Sequence, residues 1–267
     1  LLRAVEEGRT YIPGRIVVFD HGMGGGHRSY MREIERLARA GYLVFAYDHT
    51  GCMLSGGENI RGFSQSLRDL DDCLKALKAS DRCRELEISV MGHSWGGFST
   101  LNICALHPEV SHIVVLSGFI AVEILVNQFF GGIMKGYRRA ILALDPTPEY
   151  FKYNAVESLS GTDAKVLLVY SDNDRMVRRA VHFDALKKGL SHKDNVRLLL
   201  VSGKGHNPNY TEDAVAYLGR YSADVAKKAK TLTTADARKA YVDSWDWHRM
   251  TAQDETVWAE IFKTLDA

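Results

Sequence analysis

The sequence predicts an α/β protein with a doubly wound, mostly parallel sheet, and three observations support this fold class. Short runs rich in β-branched and aliphatic residues recur at 15–19, 42–47, 87–91, 112–116, 165–170 and 196–201. These runs are mostly uninterrupted apolar segments, as expected for strands that are covered on both faces. Helical patterns lie between them, so each crossover is expected to connect parallel strands.

Apolar residues at helical spacing predict the helices that connect these strands. Two such sets are Tyr30, Ile34, Leu37 and Ala38, and Leu67, Leu70, Leu74 and Leu77. Further helical patterns cover 211–230 and 234–249, and a final helix follows the segment "TAQD" at 251–254. There we expect Thr251 to cap the helix, with Asp254 completing a capping box.

The segment 119–163 interrupts the alternation of strands and helices. It contains no predicted strand, and its apolar residues include Phe129 and Phe130. We therefore predict a core formed by 1–118 and 164–267, and a small helical lid formed by 119–163 over the carboxyl edge of the sheet. Phe129, Phe130 and Met134 are expected either to pack beneath the lid or to form the wall of a substrate pocket.

Composition limits the function classes. The chain has 267 residues with 34 basic and 33 acidic side chains, and its net charge of +1 does not indicate nucleic-acid binding. The most apolar stretch, 113–134, is divided by Glu123 into runs too short to span a bilayer. Four cysteines without paired spacing, and no signal peptide at the start, favour a reduced, cytoplasmic protein. A small molecule is the expected partner, and the oligomeric state is left open.

The motif "GHSWGG" at 92–97 places Ser94 between glycines, directly after the predicted strand at 87–91 and before a helical pattern. A strand, a GxSxG turn and a helix form a nucleophile elbow, in which a strained backbone exposes the serine hydroxyl at the sheet edge. The helix N-terminus behind the serine favours negative charge. This arrangement predicts Ser94 as a nucleophile.

A serine hydroxyl is a weak nucleophile, so the chain should also supply a base and a carboxylate that orients the base. Asp172 and Asp174 follow the predicted strand at 165–170, and His206 follows the strand at 196–201. All three residues lie at carboxyl ends of parallel strands, the edge at which open α/β sheets bind ligands. The pattern predicts His206 as the base and either Asp172 or Asp174 as the acid.

Glycines after the first predicted strand indicate an oxyanion site. In "DHGMGGGH" at 20–27, four glycines within five residues allow backbone N–H groups to approach a substrate closely. We expect the backbone amides of Met23 and Trp95 to be the two donors. Removal of one such donor costs other enzymes about 2.7 to 4 kcal/mol in transition-state stabilisation.

Five motifs together resemble the α/β-hydrolase family, and within it the serine-aminopeptidase-like group of monoacylglycerol lipases, lysophospholipases and small esterases. They are "DHGMGGG", "AYDHTGCMLSGG", "GHSWGGF", "DNDRMV" and "GKGHNP", in the family's order over nearly the whole chain. The resemblance selects Asp174 as the acid, because the family's acid stands three residues before an aliphatic residue, here Val177. Asp172 is the fallback. The segment "HTGCMLSGG" departs from the HGxGxS that is common in the family.

The expected function is hydrolysis of a carboxylic (acyl) ester through an acyl-enzyme intermediate, with no cofactor and no metal. An aminopeptidase with the same three residues is one alternative, with Glu123, Glu149 and Asp145 as candidate groups for binding a free amine. A small-ligand-binding protein without activity is another alternative.

The other histidines in these motifs are expected to have structural roles. His93 precedes the nucleophile but should point away from it and pack internally. His21 and His49 follow two of the predicted strands and are expected to brace loops by hydrogen bonding.

Overall fold

A parallel β-sheet lies at the centre of the computed structural model, which describes residues 14–60, 62–131, 137, 144–145, 147–228 and 230–267. Within those residues the strands are β1 Arg15–Asp20, β2 Leu43–Ala46, β3 Glu87–His93, β4 His112–Leu116, β5 Lys165–Ser171 and β6 Val196–Val201. Their order is β2-β1-β3-β4-β5-β6, and every neighbouring pair is parallel. All the predicted strands are therefore confirmed.

Helices connect the strands and continue after the last one. The α-helices of the described residues are α1 Met31–Arg39, α2 Gln65–Ala79, α3 Ser94–Asn102, α4 Val122–Phe130, α5 Pro148–Phe151, α6 Ala155–Ser160, α7 Phe183–Gly189, α8 Glu212–Lys228, α9 Ala235–Asp243, α10 Trp247–Met250 and α11 Glu255–Leu265. Short 3-10 helices occupy His27–Tyr30 and Ile103–Ala105.

The strands bury alternate side chains on the two faces of the sheet. In β1, Ile16 and Val18 belong to one apolar core, whereas Val17 and Phe19 belong to the other. Helix α2 packs in the first core, and helices α1 and α11 cover the second, where Trp258 is fully buried. Each fully buried aliphatic or aromatic side chain contributes about 1.5–3 kcal/mol to folding. The sheet is thus stabilised from both faces, which confirms the doubly wound α/β fold class.

The strand ends that precede the predicted site residues lie along one edge of the sheet. Between β1 and β3 the register pairs Asp20 with Gly92, and between β5 and β6 it pairs Ser171 with Val201. Because all the strands are parallel, the segments that follow β1, β3, β5 and β6 leave the sheet at this same carboxyl edge.

Between β4 and β5 the described residues form helices α4, α5 and α6 and no strand. Three parts of the predicted lid, 132–136, 138–143 and 146, lie outside the described residues. Helix α4 contacts the loop after β5 through Gln128, whose amide donates to the carbonyl of Met176 at 2.9 Å. The backbone amide of Arg178 donates in turn to Gln128 Oε1 at 2.9 Å. The start of this segment therefore lies against a loop at the carboxyl edge.

The last helix begins differently from the prediction. Its N-cap is Asp254, whose carboxylate accepts hydrogen bonds from the amides of Thr256 and Val257 at 2.9 and 3.3 Å. Thr251 instead closes α10, where its hydroxyl donates to the carbonyl of Trp247 at 2.7 Å. The predicted capping box is therefore wrong, because Asp254 itself satisfies the free amides of the first turn.

The helical pattern at 234–249 divides into α9 and α10. Asp246 accepts a hydrogen bond from the amide of Arg249 at 3.0 Å, and this cap starts the second helix. Within α8 only Ala214 is buried, and no residue of α9 is buried. These helices are therefore held to the rest of the molecule with little buried apolar surface.

Candidate active site

Ser94 lies at a sharp turn between a strand and a helix. Strand β3 ends at His93, α3 begins at Ser94, and the Ser94 backbone has a φ of 57°, a left-handed conformation that is strained for a residue other than glycine. A Cβ at Gly96 would lie 2.2 Å from the carbonyl oxygen of Asp20, and a Cβ at Gly92 would lie 2.4 Å from the carbonyl oxygen of Gly96. Glycines are required at these positions because the turn packs directly on the backbone of its neighbours.

The Ser94 hydroxyl belongs to a chain of two hydrogen bonds. His206 Nε2 lies 2.8 Å from Ser94 Oγ, and His206 Nδ1 lies 2.8 Å from Asp174 Oδ2. Because an ionised carboxylate can only accept, Nδ1 carries the proton and Nε2 is free to accept one from the serine. The structure therefore brings together three residues from loops and a turn at the carboxyl edge, in an order suited to proton transfer.

Asp174 is held in place by its own loop. Its Oδ1 accepts hydrogen bonds from the amides of Met176 and Val177 at 2.8 and 3.0 Å, while Oδ2 faces His206. Burial raises the pKa of Asp174, but the hydrogen bond from His206 and those from the two amides outweigh it, so the pKa lies below its ordinary value. Asp174 is therefore ionised at neutral pH and fixed against the imidazole.

Asp172, the fallback acid, has a different set of partners. Its carboxylate accepts hydrogen bonds from Ser202 Oγ at 2.6 Å and from the amide of Gly203 at 2.9 Å. It joins the loop after β5 to the loop after β6, and the contact with His206 is made by Asp174 instead.

The two expected oxyanion donors lie on different elements. Trp95 is the second residue of α3, so its amide has no partner inside the helix. Its buried indole donates to the carbonyl of Phe63 at 2.6 Å, which fixes the first turn of α3. Met23 lies in the loop after β1, where a Cβ at Gly22 would be 3.5 Å from the carbonyl oxygen of His93. The glycine loop thus packs against the end of β3, directly before the serine.

A second histidine pairs with aspartates at the same edge of the sheet. His49 Nε2 lies 2.5 Å from Asp20 Oδ1, and His49 Nδ1 lies 3.2 Å from Asp69 Oδ2. The side chains of His49 and Asp20 are fully buried. Burial lowers the pKa of His49, but the two carboxylates outweigh it and raise the pKa to about 9. His49 is therefore a buried cation at neutral pH.

The ion cluster of His49, Asp20 and Asp69 stabilises the loops after β1 and β2. The His49 amide donates to His21 Nε2 at 2.9 Å, and His21 Nδ1 donates to the carbonyl of Gly22 at 2.8 Å, so the expected bracing roles are confirmed. Asp20 and Asp69 are partners of His49 that the sequence motifs do not predict. An acid that ends an apolar strand, as Asp20 does in "RIVVFD", is a signal of a buried paired carboxylate that could have found the first of them.

Neither a metal site nor a membrane span is found in the part of the chain that the structure describes. No group of three or more His, Cys, Asp or Glu side chains there is placed to hold a metal ion. No helix there combines the length and the apolar character needed to cross a bilayer.

A sequence profile of a known family matches residues 12–153, just over half of the chain. The family is described as serine aminopeptidase, S33. The matched part contains the glycine loop and the turn at Ser94, and it ends before the loops that carry Asp174 and His206.

Two curated relatives align with parts of the chain. A monoacylglycerol lipase of Mycolicibacterium smegmatis is 32% identical over 111 residues, which are 40% of this chain and 38% of the lipase. A cis-3-alkyl-4-alkyloxetan-2-one decarboxylase of Shewanella oneidensis is 29% identical over 117 residues, which are 43% of this chain and 35% of the decarboxylase. The alignments thus span less than two-fifths of the length of either relative.

Solved structures share the fold over most of the chain. An esterase of Pyrococcus furiosus superposes with a TM-score of 0.58 at 20% identity, covering 82% of each chain. A monoacylglycerol lipase of Paleococcus ferrophilus superposes with a TM-score of 0.53 at 19% identity, covering 74% of this chain and 88% of the lipase. At this level of identity the similarity identifies a common fold.

Proposed function

Since this chain belongs to the serine aminopeptidase S33 family of the α/β-hydrolase fold, we propose that it is a serine hydrolase and that its substrates are carboxylic esters. One observation carries this proposal. His206 lies 2.8 Å from the Ser94 hydroxyl on one side and 2.8 Å from the Asp174 carboxylate on the other. This is the geometry that a nucleophile, a general base and an orienting acid require.

The proton positions in the series Ser94, His206 and Asp174 define the acylation step. His206 Nε2 accepts the Ser94 proton while Oγ attacks the ester carbonyl carbon, and Asp174 stabilises the imidazolium that forms. The tetrahedral intermediate then collapses, the bond from the carbonyl carbon to the alcohol oxygen breaks, and His206 gives its proton to that oxygen. The alcohol leaves, and the acyl group remains on Ser94.

Deacylation repeats these steps with water as the nucleophile. His206 takes a proton from the water while the water oxygen attacks the acyl carbon. The bond to Ser94 Oγ breaks, the proton returns to Oγ, and the carboxylic acid is released. All the required groups belong to the chain, so the reaction needs no cofactor.

The negative charge of each tetrahedral intermediate needs fixed donors. We assign this role to the amides of Met23 and Trp95. The support is that Trp95 directly follows the nucleophile with an amide that is free within its helix, and that the Met23 loop packs against the end of β3.

Exposed apolar side chains favour an acyl group as the substrate moiety. Met23 and Met176 are exposed in the loops that carry the proposed donor and acid, and Phe129 and Phe130 are exposed at the end of α4. Because α4 contacts the loop of Met176, we propose that 119–163 forms the lid and that its aromatic residues contribute to the acyl pocket.

An aminopeptidase would need a carboxylate that is free to bind the substrate amine. Asp145, one of its candidates, accepts hydrogen bonds from the Ser64 hydroxyl at 2.5 Å and from the Thr147 amide at 2.9 Å. These contacts occupy Asp145 within the protein, which weakens its candidacy as the group that binds a substrate amine.

Labelling with a fluorophosphonate tests the nucleophile. We expect modification at Ser94, identified by peptide mass, and none in Ser94→Ala. A folded protein whose Ser94 stays unlabelled would favour the non-catalytic ligand-binding alternative. Comparison of p-nitrophenyl butyrate with an amino-acyl p-nitroanilide then separates the esterase from the aminopeptidase, and the esterase proposal requires faster turnover of the ester.

A further inference from the structure

Three hydrogen bonds join the Met23 loop to the His206 loop through His93. The amide of Gly22 donates to the Tyr30 hydroxyl at 3.0 Å, and that hydroxyl lies 2.7 Å from His93 Nδ1. On the other side of the ring, His93 Nε2 lies 2.8 Å from the carbonyl oxygen of His206. The mechanism described above uses none of these three bonds.

The chemistry of the partners fixes the direction of each bond. The carbonyl of His206 can only accept, so His93 Nε2 carries the ring proton and Nδ1 is the acceptor. The Tyr30 hydroxyl has one hydrogen, which it donates to Nδ1, and its oxygen accepts the Gly22 N–H. Every donor in the series therefore has one acceptor.

The neutral state of His93 is required for this arrangement, since a protonated ring could not accept at Nδ1. His93 is 6% exposed, and its ring centroid lies 5.6 Å from that of Tyr30 and 4.8 Å from that of His206. Burial, together with the nearby His206, lowers the pKa of His93 to about 3. The ring therefore stays neutral throughout the pH range of most assays.

The sheet does not join the two loops directly. The Met23 loop follows β1 and the His206 loop follows β6, and strands β3, β4 and β5 lie between them. Three strands therefore separate the proposed oxyanion donor from the proposed base, and no direct strand pairing connects their two loops. The path through Tyr30 and His93 spans the gap directly beside Ser94.

We propose that Tyr30 and His93 are positioning residues. They keep the Met23 loop and the His206 loop at a fixed distance from each other, beside Ser94. This inference rests on the proposed function, because it assigns the two loops their parts in that reaction. The fit is close, since a Cβ at Gly22 would lie 2.6 Å from the Tyr30 hydroxyl. Tyr30 would have to move if this glycine were replaced.

The test begins with Tyr30→Phe, which removes the hydroxyl and keeps the ring that packs 5.2 Å from Phe19. We expect kcat for p-nitrophenyl butyrate to fall about tenfold or more, since small displacements of reacting groups cost up to about a hundredfold in rate. KM should change less than about twofold, because a positioning residue acts on the reacting groups and not on substrate binding.

Variants of His93 sharpen the test. His93→Leu removes both ring bonds, whereas His93→Gln keeps an amide donor that can reach the His206 carbonyl, so we expect Gln to recover part of the kcat that Leu loses. If the bonds act as one unit, Tyr30→Phe combined with His93→Leu should be no slower than His93→Leu alone.

The matched control is Tyr42→Phe. Tyr42 is buried and its hydroxyl donates to Asp266, but it precedes β2 and therefore lies at the amino ends of the strands, opposite the candidate site. This variant should lose stability and keep its kcat. The inference is overturned if folded Tyr30→Phe and His93→Leu retain the wild-type kcat, or if Tyr42→Phe loses as much. If the wild type itself fails to label at Ser94, the proposed function fails instead.

Discussion

The His206–Asp174 and His49–Asp20 pairs both lie at the carboxyl edge of the sheet, and their surroundings differ. His206 lies 2.8 Å from Asp174, and its side chain is 23% exposed. His49 lies 2.5 Å from Asp20, and both side chains are fully buried. His206 has the Ser94 hydroxyl on its other nitrogen, whereas His49 has a second carboxylate there, from Asp69.

The difference shows that the surroundings of a pair decide its chemistry. A general base must be neutral before it reacts and must be able to become charged during the reaction. His49, with a pKa of about 9, already carries its proton at neutral pH and cannot accept another. We therefore expect the His206 pair to affect turnover and the His49 pair to affect stability.

The largest effect is expected from removal of the proposed nucleophile or base. Ser94→Ala and His206→Ala should each lower kcat by about a millionfold, as loss of the nucleophile or the base does in a serine protease. Both should unfold within about 1 kcal/mol of the wild type, because neither side chain fills the core. Ester hydrolysis and urea unfolding measure the two quantities. Residual activity above about a hundredth of the wild type would contradict the proposed roles.

The second largest expected effect is a difference in kcat between variants of Asp174 and Asp172. Asp174→Asn removes the charge behind His206 and should lower kcat by about ten thousandfold. Asp172→Asn is the matched control, since it alters only contacts to Ser202 and Gly203 and should leave kcat within about threefold. Equal losses in the two variants would remove the distinction between the acids.

Removal of His49 is expected to lower the stability of the protein more than removal of His206 does. His49→Leu leaves the carboxylates of Asp20 and Asp69 without their cation, which should lower the free energy of unfolding by about 3–5 kcal/mol. Urea unfolding of this variant beside His206→Ala provides the comparison. If His49→Leu is as stable as His206→Ala, the buried His49 cation does not stabilise the fold.

The smallest effect is a pH dependence of stability. The folded pKa of His49 is about 9 against an ordinary value of 6.5, so its contribution is complete below pH 6.5 and is lost as the pH rises through 9. The difference in unfolding free energy between the wild type and His49→Gln should therefore shrink over this interval. A difference that stays constant from pH 6.5 to 9 would contradict the raised pKa.

The sequence predicted the parts of the site that local patterns encode. The elbow at Ser94 follows from glycines between a strand and a helix, and His206 follows from a polar loop after a buried strand. Spacing alone did not separate Asp174 from Asp172, because both follow β5. The distinction depends on how the loop folds, with the amides of Met176 and Val177 turning Asp174 toward the imidazole.

Contacts between distant segments could not be predicted in this way. Helical spacing places Tyr30 on the apolar face of a helix, but its hydroxyl contacts His93, 63 residues further along the chain. The N-cap of the last helix was misplaced because Thr251 and Asp254 both suit that position, and the choice depends on where α10 ends. Packing decides such cases, and a linear pattern does not contain it.

The pairing of distant strands also has a kinetic consequence. Ser94 and His206 are 112 residues apart in the chain, and the segments that carry them follow β3 and β6, with β4 and β5 between them in the sheet. Contacts between residues this far apart in the chain form slowly, because the entropy of large loops is lost before the contacts form. During renaturation from urea, recovery of the proposed ester hydrolysis should therefore lag behind the return of helical circular dichroism.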